Sequence, residues 1–172
     1  MVNQPDMLAS IDATLAEIPD PELPCSIIDL GLVEQVDIDA DGHVHIVLLP
    51  TFTGCPALDM IADNVTREVG AIDGVSSCRV QWVFTPPWSP DRISDRGRAS
   101  LKEHGVTVPT CGGPARQEEV PLRTSAVPCP WCGSRETRLD SPFGPTRCRS
   151  IHYCDACRNT FEDMKQLPSD PA

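Results

Sequence analysis

Across residues 43–70, HVHIVLLPTFTGCPALDMIADNVTREVG, the apolar period changes from two to between three and four, and that change decides the fold. Val44, Ile46 and Leu48 alternate with His43 and His45, so a strand over 43–49 has one apolar face and keeps both histidines on the other. Leu58, Ile61, Val65 and Val69 then recur at helical spacing as far as Gly70. Between the two lies the loop Leu49-Pro50-Thr51-Phe52-Thr53-Gly54. Cys55-Pro56 predicts the helix start, because proline is favoured at the first helical position, and Cys55 is then the expected N-cap.

Upstream, Asp39-Ala40-Asp41-Gly42 reads as a hairpin turn that joins this strand to an antiparallel partner over about 32–38. Leu8, Ile11, Leu15 and Ile18 share one face of a helix predicted over 5–18, which Pro19 ends. Asp20-Pro21-Glu22-Leu23-Pro24 cannot continue that helix, and the apolar run from Ile27 to Val33 leads into the first strand. Downstream, Asp73-Gly74 turns the chain into a strand on which Cys78, Val80, Trp82 and Phe84 alternate. Thr85-Pro86-Pro87-Trp88-Ser89-Pro90 is a rigid loop, and a short helix capped by Ser94 stops near Gly105. The order helix, hairpin, helix, strand, helix predicts an α+β domain over residues 5–107, a small sheet with helices packed on it. Residues 108–127, rich in proline, glycine and charge, read as a linker to a second unit over 128–166.

That second unit reads as a zinc ribbon. Cys129-Pro130-Trp131-Cys132-Gly133 and Cys154-Asp155-Ala156-Cys157 each place two thiolates within reach of one tetrahedral ion, and the stretch between them is long enough for a short β-hairpin. A span of about 40 residues with few large apolar side chains needs a metal or a staple to fold. Structural zinc on Cys129, Cys132, Cys154 and Cys157 is the expectation, with an iron–sulfur cluster on the same thiolates as the alternative. Cys148 is a fifth thiol that either replaces one ligand or stands free beside the site. Four closed ligands leave no position for water, so the site is structural rather than hydrolytic.

With 172 residues the chain holds one full core and a small appendage. A formal charge of −11, from 25 acidic against 14 basic residues, gives a surface that repels nucleic acid and anionic membrane. The first ten residues show neither a basic start nor an apolar run, and no stretch approaches the ~18 apolar residues of a membrane span. A cytoplasmic protein is expected, and its nine cysteines favour metal binding over a disulfide framework. At a helix start the Cys55 thiol would be drawn down in pKa by backbone N–H groups, which suits transient metal or cluster binding; the bland alternative is a small residue filling a tight turn. Asp20, Glu22 and Asp29 surround a proline-rich turn and offer oxygen ligands, although aspartate in turns commonly serves local hydrogen bonding. Cys78 reads as core, Cys25 as an isolated loop thiol, and Cys111 falls in the linker without a role. His43 and His45 read as a solvated strand face, Trp82 and Trp88 as core and loop anchors. The sequence has no G-x-G-x-x-G, P-loop, H-E-x-x-H or G-x-S-x-G motif.

Three blocks in order, Asp20-Pro21-Glu22-Leu23-Pro24, Ile28-Asp29-Leu30-Gly31-Leu32-Val33 and Pro50-Thr51-Phe52-Thr53-Gly54-Cys55-Pro56-Ala57, resemble the small iron–sulfur assembly domain typified by SufT. Pro87-Trp88, Ile93-Ser94, Cys129-Pro130-x-Cys132-Gly133-Ser134, Phe143-Gly144 and Tyr153-Cys154-x-x-Cys157 are similar to the PaaD family of accessory subunits, encoded with the multicomponent phenylacetyl-CoA epoxidase. The resemblance runs from about residue 7 to 165. It implies a non-enzymatic role in phenylacetate breakdown: assembling or inserting an iron–sulfur or iron centre, with the oxygenase and reductase components as partners. The family's notable cysteine falls on Cys55, its ribbon ligands on Cys129, Cys132, Cys154 and Cys157, and its additional ribbon cysteine on Cys148. Asp20, Glu22, Asp29 and Thr51 are further candidates for iron or cluster handling. The stretch Phe143–Cys154 departs from the family's wording, Arg158-Asn159 replaces the usual Gly-Glu, and Met164-Lys165-Gln166-Leu167 lacks a terminal cysteine, which excludes that thiol as a ligand. Two other classes stand beside this one: a structural subunit that stays bound in the epoxidase complex, and an enzyme using Cys55 as nucleophile on the CoA thioester, for which no partner base is evident. Oligomeric state, a homodimer included, is left open.

Overall fold

The structure is a computed structural model that describes residues 4–109 and 126–165. Helix α1 (Gln4–Glu17) buries Ile11 and Leu15 fully. After it the chain doubles back in a narrow turn, where Pro19 bridges Ser26 and the Asp20 amide donates to the Cys25 carbonyl at 2.9 Å. Strands β1 (Val33–Ile38) and β2 (His43–Leu48) form the predicted antiparallel hairpin, whose turn is closed by Asp39 Oδ1 accepting the amides of Asp41 and His43. Helix α2 (Leu58–Gly70) then carries the chain back, so that β3 (Ser77–Trp82) pairs with β2 in parallel and the sheet order is β1-β2-β3. A parallel neighbour needs such a crossover. Phe84, read as the end of the apolar strand face, lies beyond β3 and is 52% exposed. The ladder stops where β2 stops: the Val83 amide makes the last bond, to Leu48, and Pro86-Pro87 have no N–H to extend it.

The core gathers Ile11, Leu15, Ile46, Leu48, Ile61, Val65 and Leu101 from the helices and the sheet of the first unit. A 3₁₀ turn (Pro90–Arg92) and helix α3 (Asp95–Glu103) close it over the apolar run 27–33. Trp88 donates from Nε1 to the Leu30 carbonyl at 2.8 Å, and Arg92 Nε to that of Gly31 at 2.8 Å. Ser94 caps α3 as predicted, accepting from the Gly97 amide.

Past Gly105 the chain makes a two-residue strand, β4 (Val106–Thr107), which the sequence does not announce. It belongs to a second sheet of order β4-β7-β6-β5, with β5 at Thr137–Ser141, β6 at Arg149–Cys154 and β7 at Thr160–Met164. β4 runs parallel to β7, with Val106 beside Glu162 and Thr107 beside Asp163. Met164 and Val106 sit in the main core, so the ribbon is built onto the first unit at this edge. The greater part of the predicted linker, Cys111 included, lies outside the described residues. Among the described residues no helix is long and apolar enough to cross a membrane.

At the β4–β7 junction burial lifts the Asp163 carboxyl to about 6, against a hydrogen bond from Thr107 Oγ1 at 2.7 Å. Its folded pKa lies above the ordinary 3.8, so its contribution is complete below that value and is lost as pH rises through about 6. Asp163→Asn should therefore raise Tm at pH 8 by a few degrees, corresponding to about 1 kcal/mol, and leave Tm unchanged at pH 3.5. Thermal melts at the two pH values check the difference.

Candidate metal centre and thiol site

Two turns of the same shape carry the ribbon cysteines. In the first, Gly133 donates its amide to the Cys129 carbonyl at 2.8 Å with φ +74°, and the Cys129 amide donates to the Ser134 carbonyl at 2.9 Å. In the second, Arg158 donates to Cys154 at 2.8 Å with φ +61°, and the Cys154 amide donates to Asn159 at 3.0 Å. The turns face each other at the end of β6 and the start of β7. All four sulfurs, of Cys129, Cys132, Cys154 and Cys157, lie within 4.8 Å of one another, with Cys129–Cys157 at 3.6 Å and Cys132–Cys154 at 3.7 Å. These spacings are far too long for disulfides and close to the ~3.8 Å that a tetrahedral ion with metal–sulfur bonds of about 2.3 Å requires. The donor set therefore fits a four-coordinate thiophilic ion. The Asn159 backbone N–H draws the Cys157 thiol down to about 7, so one ligand is poised to ionise. Cys148 is buried elsewhere, its Sγ 3.1 Å from Thr146 Oγ1 and outside the tetrad.

The predicted N-cap role of Cys55 does not hold. Helix α2 begins at Leu58 with Ala57 as N-cap, and Cys55 sits in the preceding turn, off the end of the helix. Its Sγ accepts the Ala57 amide at 3.4 Å and lies 3.6 Å from Glu22 Oε2, to which the thiol donates. The expected depression of its pKa is reversed as well. Half-burial pushes the thiol up to about 11; the Glu22 and Asp20 carboxyls add to this, and only the Ala57 amide works the other way. Cys55 is therefore a protonated thiol at neutral pH, hydrogen-bonded to an acid.

Asp20 stands behind this pair. Its Oδ1 accepts the amides of Glu22 at 2.8 Å and Leu23 at 2.9 Å, a local turn of the kind aspartate favours, yet burial outweighs those bonds and raises its carboxyl. Asp29, from the same acidic stretch, goes elsewhere: it accepts from Ser94 Oγ at 2.6 Å, Arg96 Nε at 2.8 Å and Ser26 Oγ at 3.1 Å. Burial opposes its charge, but the Arg96, Ser94 and Ser26 hydrogen bonds together hold it below the usual carboxylate range. Thr51 is half-buried in the loop ahead of Cys55. Cys25, expected as an isolated loop thiol, packs half-buried against the core, where desolvation and the Asp20 and Asp29 charges push it up to about 12. Sequence reading assigned no role to Arg149, a buried cation whose Nη2 reaches the Glu22 carbonyl at 3.3 Å. Nothing local distinguishes it from Arg147 or Arg138.

An α+β unit with a thiol beside an acid is thus followed by a four-cysteine ribbon. Residues 8–82 match the family described as iron-sulfur cluster assembly protein, and residues 113–165 that described as PaaD zinc beta ribbon domain. The chain is 35% identical, over 94% of its own length and 94% of the relative's, to a protein of Escherichia coli strain K12 provisionally named as a component of 1,2-phenylacetyl-CoA epoxidase. It belongs to the PaaD family. A Bacillus subtilis protein named Fe-S protein maturation auxiliary factor YitW is 37% identical over 54% of this chain and 90% of its own. A crystal structure of a domain of unknown function, DUF59, from Bacillus anthracis superposes with a TM-score of 0.53 at 32% identity, over 57% of this chain and 93% of that one.

Two outcomes follow from the ribbon's geometry. Arg158 occupies the left-handed region where the matching turn has Gly133, so Arg158→Gly should stabilise the metal-loaded protein by about 1 kcal/mol, a rise of about 2–4 °C in Tm. Metal analysis should find one ion per chain in wild type and in Cys148→Ser, and none held at the ribbon by Cys129→Ser.

Proposed function

We propose that this chain is a maturation subunit of the phenylacetyl-CoA epoxidase system, acting in the cytoplasm to help assemble or insert an iron–sulfur or iron centre into the oxygenase or reductase components. It carries out no reaction of its own on the CoA thioester. The observation that carries this reading is the Cys55 thiol set 3.6 Å from the Glu22 carboxylate in a loop of an iron–sulfur assembly domain. The iron or cluster is cargo, not a resident cofactor. Thiolates, not thiols, bind metal, and a thiol held near 11 keeps a weak resting hold on it. Ligation must release the Cys55 proton, and Glu22 Oε2 stands where it can accept it. Asp20 adds a second carboxyl close behind.

Zinc is the ion assigned to Cys129, Cys132, Cys154 and Cys157, where it holds the ribbon's strands together rather than reacting. One thiol and the Glu22 and Asp20 carboxyls do not complete an iron site, so the remaining ligands come from the client or from a second copy of the chain. The Bacillus subtilis relative, named a maturation auxiliary factor, supports the same reading for the first unit.

The test is the iron content and activity of co-expressed epoxidase components, purified anaerobically with wild-type chain or with Cys55→Ala. Iron in the epoxidase should fall severalfold with Cys55→Ala while zinc in the accessory chain is unchanged. Fully iron-loaded, active epoxidase made with Cys55→Ala would instead establish a structural subunit that stays bound in the complex.

A further inference from the structure

Arg149 opens β6, and its side chain is 9% exposed. A buried guanidinium is costly unless every face of it is paired. Here Nη1 meets Glu162 Oε2 at 2.6 Å and Nε donates to Thr146 Oγ1 at 2.7 Å, both within the ribbon. The third contact crosses to the other unit, Nη2 donating to the Glu22 carbonyl at 3.3 Å. Glu22 is thus held at both ends, its backbone by Arg149 and its carboxylate by Cys55. Arg147, two residues earlier, reaches the other side of the thiol loop: a Cβ added to Gly54 would lie 3.6 Å from its Nη1.

The strands that carry this contact depend on the tetrad. β6 ends at Cys154 and β7 begins three residues after Cys157, and among the described residues the ribbon's own buried apolar cluster is Cys129, Cys154 and Phe161, with Val127 and Cys157 packed against it. An ion on those sulfurs would close the tetrad end of these paired strands, at whose other end Arg149 lies beside Met164 and Glu162 beside Ile151.

We infer that Arg149 is a positioning residue for the thiol site: from the ribbon it holds the turn that presses Glu22 against Cys55, so that the metal-dependent fold of the ribbon sets the reactivity of Cys55. This rests on reading Cys55 as the working thiol, but its test makes no use of iron delivery. The full-length, zinc-loaded chain is treated with iodoacetamide at pH 8. Alkylation rates at Cys55, Cys25 and Cys78 are followed by peptide mass spectrometry, and zinc content is measured on the same samples.

Arg149→Gln should speed Cys55 by about fivefold, with zinc retained and with Cys25 and Cys78 unchanged. The double variant Arg149→Gln/Glu162→Gln removes both buried charges together and should give the same selective rise, which guards against misfolding around an unpaired Glu162. Glu22→Gln should also speed Cys55, and combining it with Arg149→Gln should add nothing beyond the faster single variant, because both act through one contact. An unchanged Cys55 rate, a parallel rise at Cys25 and Cys78, or multiplying effects of the two substitutions would overturn the inference. Selective acceleration in Arg149→Gln, together with fully loaded epoxidase in Cys55→Ala, would uphold the positioning role while removing the maturation role.

Discussion

Two residues of backbone pairing, Val106 and Thr107 against Glu162 and Asp163, join the ribbon to the rest of the chain, and the thiol face depends on where that junction sets β6. Gly105 makes the approach possible. Its φ of +76° turns the chain out of α3, and the Trp131 indole packs so closely over it that a side chain there would collide with the ring. The Glu162 amide donates to the Gly105 carbonyl at 2.9 Å, which fixes the register. Side chains on a strand alternate faces, so a slip of one residue would take Met164 out of the main core and turn Glu162 away from Arg149. The reach of Arg149 to Glu22, across 127 positions of sequence, follows from a junction two residues long.

The acidic stretch 20–29 shows how placement divides chemically equal groups. Asp29 faces an arginine and two hydroxyls and stays a fixed anion that ties α3 to the apolar run beneath it. Asp20 accepts the Glu22 and Leu23 amides, yet burial outweighs them and raises its carboxyl. Its field and that of Glu22 then fall on Cys55, and Asp20 also acts on Cys25. An acid held by an arginine and two hydroxyls ties elements together, whereas carboxylate charge facing a thiol adds to burial in disfavouring its thiolate.

The period change at residues 43–70 and the two C-x-x-C pairs made the hairpin, α2 and the four-cysteine tetrad legible, because each rests on spacing within one element or one turn. β4 was not legible, since two residues show no period. The start of α2 was misplaced because Pro56 reads as a first helical residue, whereas the chain makes one more turn and begins the helix at Leu58. That small error inverted the expected chemistry of Cys55. Off the helix end, the thiol keeps the pull of the Ala57 backbone N–H, which burial and the Glu22 carboxyl, 33 positions away, outweigh. Neither charge brought in from a distance nor solvent exclusion has a local signature, which is also why Arg149 passed unremarked among the other arginines.

The two sulfur sites differ in what they could offer a metal. Four converging sulfurs, one already drawn to about 7, form a closed set that suits a soft divalent ion. Cys55 offers one sulfur, protonated and hydrogen-bonded, and competes poorly with the tetrad for any free ion. On the proposed reading, iron at Cys55 would arrive with ligands of its own and leave when a better set is presented. On the proposed reading, joining the two sites through Arg149 would make the ribbon's metal a condition for the geometry of the thiol site, since the folded ribbon carries the contact to the Glu22 carbonyl.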